Sequence, residues 1–148
     1  MKKNPLHILL TDDDEGDRII FKEIFEEMEL PIEVQLLKNG LELMNYLHKE
    51  DAVLPDLLFL DLNMPNKNGM TCLKEIRNDD RFKDISIAIY STSASEKDID
   101  ETYHHGANIY VTKPGDYSIL RQVLIKAISV THQYHDPSFN RENFVLKV

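Results

Sequence analysis

A single cysteine, Cys72, leaves the chain without any internal disulfide. No run approaches the roughly 18 apolar residues that cross a bilayer, and the opening MKKNPLHILL carries too short an apolar stretch before its acids for a secretory signal. Only 5 Gly and 6 Pro occur among 148 residues, which excludes collagenous and low-complexity architectures. Basic charge is also scarce. The 17 Lys and Arg face 26 Asp and Glu, a net charge of −9, a poor match for the phosphate backbone that dominates nucleic-acid affinity. These absences predict a cytoplasmic protein with no membrane attachment and no direct nucleic-acid partner.

What is present is ordinary for a globular protein, at 42% hydrophobic and 29% charged residues. A chain of 148 residues holds one core on the usual scale of roughly 100–200 residues per domain. Five short apolar runs fit strands: Leu6 to Leu10, Ile32 to Leu37, Leu57 to Leu60, Ile85 to Tyr90 and Ile109 to Val111. Between and after them, apolar residues recur at helical spacing. Phe21, Ile24, Phe25 and Met28 form one stripe; Gly40, Leu43, Met44 and Leu47 form a second. Gly69, Cys72, Leu73 and Ile76 follow, and Leu120, Val123, Leu124 and Ala127 close the series. A helix with a thinner apolar face is predicted from Ser95, where Ser95 and Asp98 suit a capping box, to a stop before Gly106.

Strand followed by helix, five times, implies right-handed crossovers and a parallel sheet with helices on both faces. The expected fold is therefore α/β, a doubly wound five-stranded sheet of order 2-1-3-4-5. IEVQLL alternates in polarity and reads as an edge strand, whereas the central strands are nearly all apolar. Residues 1–130 form the predicted domain and 131–148 a tail. The tail carries Phe139, Phe144, Val145, Leu146 and Val148 without a helical stripe, and reads either as a segment docked on the domain or as a homodimer contact.

Ligands of open parallel sheets bind beyond the carboxyl ends of the strands. Strand one runs into Thr11-Asp12-Asp13-Asp14-Glu15, strand three into Asp61, strand four into Ser91, and strand five reaches Lys113. Singly, each has a simpler explanation. DDDEGD suits a solvated helix N-terminus and fails the calcium-loop pattern; Asp61 suits a turn, Ser91 a loop, and Lys113-Pro114 an extended step. Their arrival at successive strand ends favours a site. Like charges about 4 Å apart repel by roughly 4 kcal/mol at an effective dielectric near 20, so Asp12, Asp13 and Asp61 need a cation such as Mg²⁺. Lys113 can neutralise more of that charge. A phosphoryl group is the chemistry this set suits, because its transfer is governed by positioning and charge stabilisation.

From about Leu6 to Ser129 the chain resembles the receiver domain of two-component response regulators, a flavodoxin-like fold, through ILLTDDDEGD, PDLLFLDLNMPNKNG, IAIYSTS and GANIYVTKPG. The resemblance implies that Asp61 is the phosphoacceptor. It implies that Asp13, Asp61 and the main-chain carbonyl of Asn63 hold Mg²⁺, with Asp12 acting chiefly through a coordinated water. Ser91 becomes the switch hydroxyl, Tyr110 the aromatic that turns inward with it, and Lys113 a phosphoryl contact whose bond to Pro114 is cis. The expected partners are a sensor histidine kinase or phosphotransfer protein and a downstream effector protein. The effector is met through a phosphorylation-dependent face of the fourth helix, fifth strand and fifth helix. The chain resembles stand-alone receivers of the chemotaxis or phytochrome-associated kind, a phosphoacceptor switch and not an enzyme.

Departures from the family pattern are Gly115, where many members carry a bulky residue, and a long loop from Lys49 to Pro55. Asn63 and Ser93 flank the expected approach of water and leave it fairly open, which predicts slow self-dephosphorylation rather than a long-term store. Two other readings use the same residues. A haloacid-dehalogenase-like phosphatase would share the acids and lysine, but Asn63 stands where such enzymes place a second Asp, and their nucleophile lies on the first strand. A receiver-like scaffold that is never phosphorylated would not need Asp61, Ser91 and Lys113 together. Cys72 falls on a core stripe, and His104-His105 and His132 with His135 lack a third ligand.

Overall fold

The computed structural model describes residues 5–130 and 140–147. Five strands, β1 (Leu6–Thr11), β2 (Ile32–Leu37), β3 (Leu57–Leu60), β4 (Ser86–Ser91) and β5 (Ile109–Thr112), form one sheet in the order 2-1-3-4-5. All four pairings are parallel. The helices are α1 (Glu15–Glu27), α2 (Gly40–Leu47), α3 (Gly69–Arg77), α4 (Glu96–His104) and α5 (Tyr117–Ser129), with a single-turn α6 (Arg141–Phe144) near the C-terminus. A short 3-10 turn, Asp80–Phe82, precedes β4 and buries Phe82.

Residues alternate across the pleat, so each strand feeds two cores. Ile8, Leu10, Leu57, Phe59, Tyr90 and Val111 meet α1 and α5, while Leu9, Leu58, Leu60, Ile87 and Ile89 meet α2, α3 and α4. The buried stripes of the helices are those of the sequence: Phe21, Ile24 and Phe25; Leu43, Met44 and Leu47; Cys72, Leu73 and Ile76; Leu120, Val123, Leu124 and Ala127. Met28 falls at the end of α1 and is only half-buried.

Three details differ from the sequence reading. β4 runs from Ser86 to Ser91 and not from Ile85 to Tyr90, because the ladder with β3 begins at Ser86 opposite Leu57. At α4, Ser95 accepts the N–H of Asp98, but the Asp98 carboxylate turns to the Ser93 hydroxyl at 2.7 Å, so the capping box is half-formed. No cis peptide bond occurs among the described residues, so Lys113–Pro114 is trans, the lower-energy isomer by roughly 0.5–1 kcal/mol.

Candidate functional site

β1, β3, β4 and β5 end at one rim of the sheet, and the chain beyond each end carries the predicted residues. After β1, Asp12 is fully buried and Asp13 is exposed. The Asp12 carboxylate accepts the N–H of Asp14 at 2.9 Å, and the Arg18 guanidinium donates to the Asp12 carbonyl at 2.8 Å. Asp14 in turn caps α1 by accepting the N–H of Asp17. The acidic run is thus both a helix start and the floor of a site. The N–H of Asp61 donates to the Thr11 carbonyl at 3.0 Å, which extends the β1–β3 ladder by one step and sets Asp61 beside Asp12.

Asp12, Asp13 and Asp61 each present a carboxylate oxygen within 4.8 Å of the others. Among the described residues this is the one group of three acids, histidines or cysteines so arranged; His132 and His135 lie outside the described residues. The Lys113 ammonium donates to Asp12 at 2.6 Å and Asp17 at 2.9 Å, and stands 3.9 Å from Asp61. It also lies 5.0 Å from the centre of the Tyr90 ring. Asp17 and Tyr90 escaped the sequence reading. Asp17 is written as a first-turn acid of α1 and Tyr90 as a core strand residue, and only the return of the chain at β5 brings them to Lys113.

The electrostatics follow from this sharing. Burial, followed by the hydrogen bond to Asp12, sets opposing pulls on Lys113, and its carboxylate partners hold the ammonium above the ordinary lysine range. Burial pushes the Asp61 carboxyl up to about 7; Lys113 opposes this from a distance and Asp12 reinforces it. The lysine is committed to Asp12 and Asp17, so Asp61 remains under-neutralised. A set of hard oxygen donors, one of them on exposed Asp13, with charge that the lysine leaves unbalanced, fits a divalent cation.

Asn63 follows two residues after Asp61, and its N–H donates to the Asp61 carboxylate at 3.4 Å. Ser91 is buried at the end of β4, and its hydroxyl oxygen accepts the N–H of Ser93 at 3.1 Å. The N–H of Lys113 donates to the Ser91 carbonyl at 2.8 Å, tying the ends of β4 and β5 together. Tyr110 is fully buried, and its hydroxyl donates to the Ser93 carbonyl at 2.8 Å. Away from this rim, burial pushes the Cys72 thiol up to about 11, which leaves it protonated and inert.

Gly69, the first residue of α3, also shapes the site, although the sequence shows it only as part of a helical stripe. A Cβ there would lie 2.1 Å from the Asp61 carbonyl oxygen and 2.8 Å from the Leu62 Cα. The Gly69 N–H donates to the Leu62 carbonyl at 2.9 Å, so α3 begins pressed against the loop that presents Asp61.

The chain as a whole has counterparts among known proteins. The family model described as the response regulator receiver domain matches residues 8–125. The response regulator Rcp1 of Synechocystis sp. is 33% identical over 113 residues, which cover 74% of this chain and 77% of Rcp1. The crystal structure of the phosphorylated cyanobacterial phytochrome response regulator RcpA is similar with a TM-score of 0.78 and 36% identity, over 85% of this chain and 92% of that one. The Mn²⁺-bound form of response regulator Rcp1 is similar with a TM-score of 0.77 and 28% identity, over 97% and 100% of the two chains. On its sheet order and on these likenesses, the chain belongs to the response regulator receiver domain family of two-component signalling.

Proposed function

We propose that the protein is a phosphorylation switch in which Asp61 accepts a phosphoryl group from a histidine of a sensor kinase or phosphotransfer protein. The observation that carries this reading is the Asp61 carboxylate at the end of β3, within 4.8 Å of two further carboxylates and 3.9 Å from the Lys113 ammonium. In the transfer a carboxylate oxygen of Asp61 forms a bond to phosphorus as the phosphorus–nitrogen bond of the donor breaks. The donor imidazole leaves and takes up a proton. Lys113 keeps its proton throughout and balances charge on the phosphoryl oxygens.

Asp12, Asp13, Asp61 and the main-chain carbonyl of Asn63 would hold Mg²⁺, which when bound offsets the negative charge of the acids and of the incoming phosphoryl group. The Ser91 hydroxyl engages a phosphoryl oxygen, and Tyr110, already inward, reports the change to a partner-binding face of α4, β5 and α5. The likeness to the phytochrome response regulator RcpA supports a kinase of the phytochrome-associated kind, and a cytoplasmic setting is consistent with a response regulator receiver domain. Asn63 and Ser93 flank the approach of water to Asp61 and leave it fairly open, so self-dephosphorylation is slow but the phosphoryl group is not a long-term store.

Intact-mass analysis after incubation with Mg²⁺ and a small acyl-phosphate donor tests the reading. One added phosphoryl group is expected, absent from Asp61→Asn and absent with a chelator. An adduct on Asp61→Asn, or none on the wild type, would overturn it. Rapid multiple-turnover hydrolysis of a specific phosphate ester would point instead to the dehalogenase-like enzyme.

A further inference from the structure

Residues 140–147 return to the outer edge of β5, the side on which no further strand of the sheet pairs among the described residues. Phe144 is 1% exposed, with its ring edge-on to Tyr103 at 5.2 Å and to Tyr110 at 6.1 Å. Val145 forms a single parallel bridge with Tyr110, and the Leu146 N–H donates to the Tyr110 carbonyl at 2.9 Å. Charged groups clamp both sides. Arg141 meets Asp100 at 3.0 Å and Glu96 at 3.6 Å on α4, and Lys126 of α5 donates to the Lys147 carbonyl.

Tyr110 therefore has two sets of partners. On one side its ring and backbone carry residues 144–146. On the other its hydroxyl donates to the Ser93 carbonyl, and the Ser93 N–H donates to the Ser91 hydroxyl oxygen at the rim of the acid site. A ring swung outward would lose the Ser93 bond and vacate its contact with Phe144 together. The segment thus has a differential interaction with two positions of Tyr110, which is what shifting an equilibrium requires.

We propose that residues 140–147 act in cis as a latch on Tyr110, holding the ring inward and coupling the C-terminal segment to the Ser91–Ser93 loop. A phosphoryl group engaging Ser91 holds the same loop, so phosphorylation and latch docking favour each other, and by linkage each strengthens the other equally. This second half rests on the assignment of Asp61 as phosphoacceptor; the latch itself does not.

The test is residue-resolved amide exchange on the full chain, for wild type, Phe144→Ala and Leu146→Pro. The proline variant removes the N–H that reaches Tyr110 while leaving Phe144 in place, and Val145, at φ −81° and ψ 113°, already has the extended backbone a following proline demands. Without any phosphoryl group, both variants are expected to speed exchange of the Ser93 amide about fivefold or more, along with the amides that remain at residues 144–147. Acceleration confined to residues 141–147 would overturn the latch. So would protection of the Leu146 amide that rises with protein concentration, which would assign the docked segment to a second copy.

Beryllofluoride with Mg²⁺ then stands in for the phosphoryl group. Slower exchange at Leu146, and binding to Leu146→Pro weakened about fivefold or more, are the expected results. Tight binding by wild type with no change at Leu146 would overturn the coupling alone. No uptake by wild type, or equal uptake by Asp61→Asn, would remove the Asp61 reading and the coupling with it, while the exchange data without ligand still decide the latch.

Discussion

At the scale of residues, the site is a problem of unequal charge sharing. Lys113 touches Asp12 and Asp17 and only approaches Asp61, whose carboxyl burial pushes up to about 7. In the unfolded chain the same carboxyl titrates near 3.9. Between roughly pH 4 and 7 the folded state therefore holds a proton that the unfolded chain has lost, so in metal-free protein stability falls as pH rises through that window and is level above it. Asp61→Asn removes this loss. It is expected to stabilise the metal-free protein by about 1–2 kcal/mol at pH 8, a full-burial value discounted for solvent entering beside Asp13, with little gain at pH 4. Urea unfolding in chelator at both pH values checks this, and equal gains at the two would count against it. Lys113→Ala is expected to slow phosphoryl uptake from an acyl phosphate by about 100-fold, the scale for deleting one preorganised cation or donor at a charge-developing centre; an unchanged rate would remove Lys113 from the chemistry. The residues that the sequence announces here are those at strand ends, Asp12, Asp13, Asp61, Ser91 and Lys113, because the chain writes them directly after apolar runs. Asp17 and Tyr90 are silent there, since their meeting with Lys113 spans 96 residues in one case and depends on strand order in the other.

At the scale of elements, helix starts decide where the acids point. α1 begins under an Asp14 cap that leaves the Asp12 carboxylate bound to the Asp14 N–H, and α3 begins at Gly69, where the backbone of Asp61 and Leu62 leaves no room for a side chain. Both contacts at Gly69 are with backbone atoms, which cannot swing aside. Gly69→Ala is therefore expected to cost about 1–3 kcal/mol of stability through overpacking and to lower phosphoryl uptake by displacing Asp61. Gly115→Ala is the matched control. An added Cβ there meets nothing within 4 Å, so a change within about 0.5 kcal/mol and normal uptake are expected. Equal effects of the two substitutions in thermal and urea unfolding would refute the packing argument. The elements themselves were largely legible, because α1, α2, α3 and α5 show their buried stripes at helical spacing and the central strands read as continuous apolar runs, while α4, which buries only Ile99 and Thr102, was legible through its Ser95 cap. α6 was not. Its four residues are too few for periodicity, and Phe144 is buried through Tyr103 and Tyr110, a contact that only the finished fold creates.

At the scale of the whole molecule, four strand ends converge on one rim, and the net charge of −9 gives that rim no general cationic background to relieve it. The cost of gathering Asp12, Asp13 and Asp61 is borne by the entire fold, since the strands that carry them are the central ones of the sheet and their side chains build both cores. A divalent cation that binds the folded chain and not the unfolded one returns that cost as global stability, by RT ln(1 + [L]/Kd), or about 2.7 kcal/mol at a hundredfold excess over Kd. For a domain near 150 residues each kcal/mol shifts Tm by about 2–4 °C. Mg²⁺ at that excess is thus expected to raise Tm by about 5–10 °C. The gain should grow from pH 5 to pH 8 as Asp61 sheds its proton and becomes a better ligand, the direction opposite to the metal-free decline. Asp13→Asn, at the exposed corner of the cluster, should lose most of the gain while altering metal-free stability little, because its side chain stands in solvent. Scanning calorimetry with Mg²⁺, with chelator and with an equal ionic strength of Na⁺ separates site binding from screening. A rise reproduced by Na⁺, or retained in full by Asp13→Asn, would show that the three carboxylates do not act as one cation site.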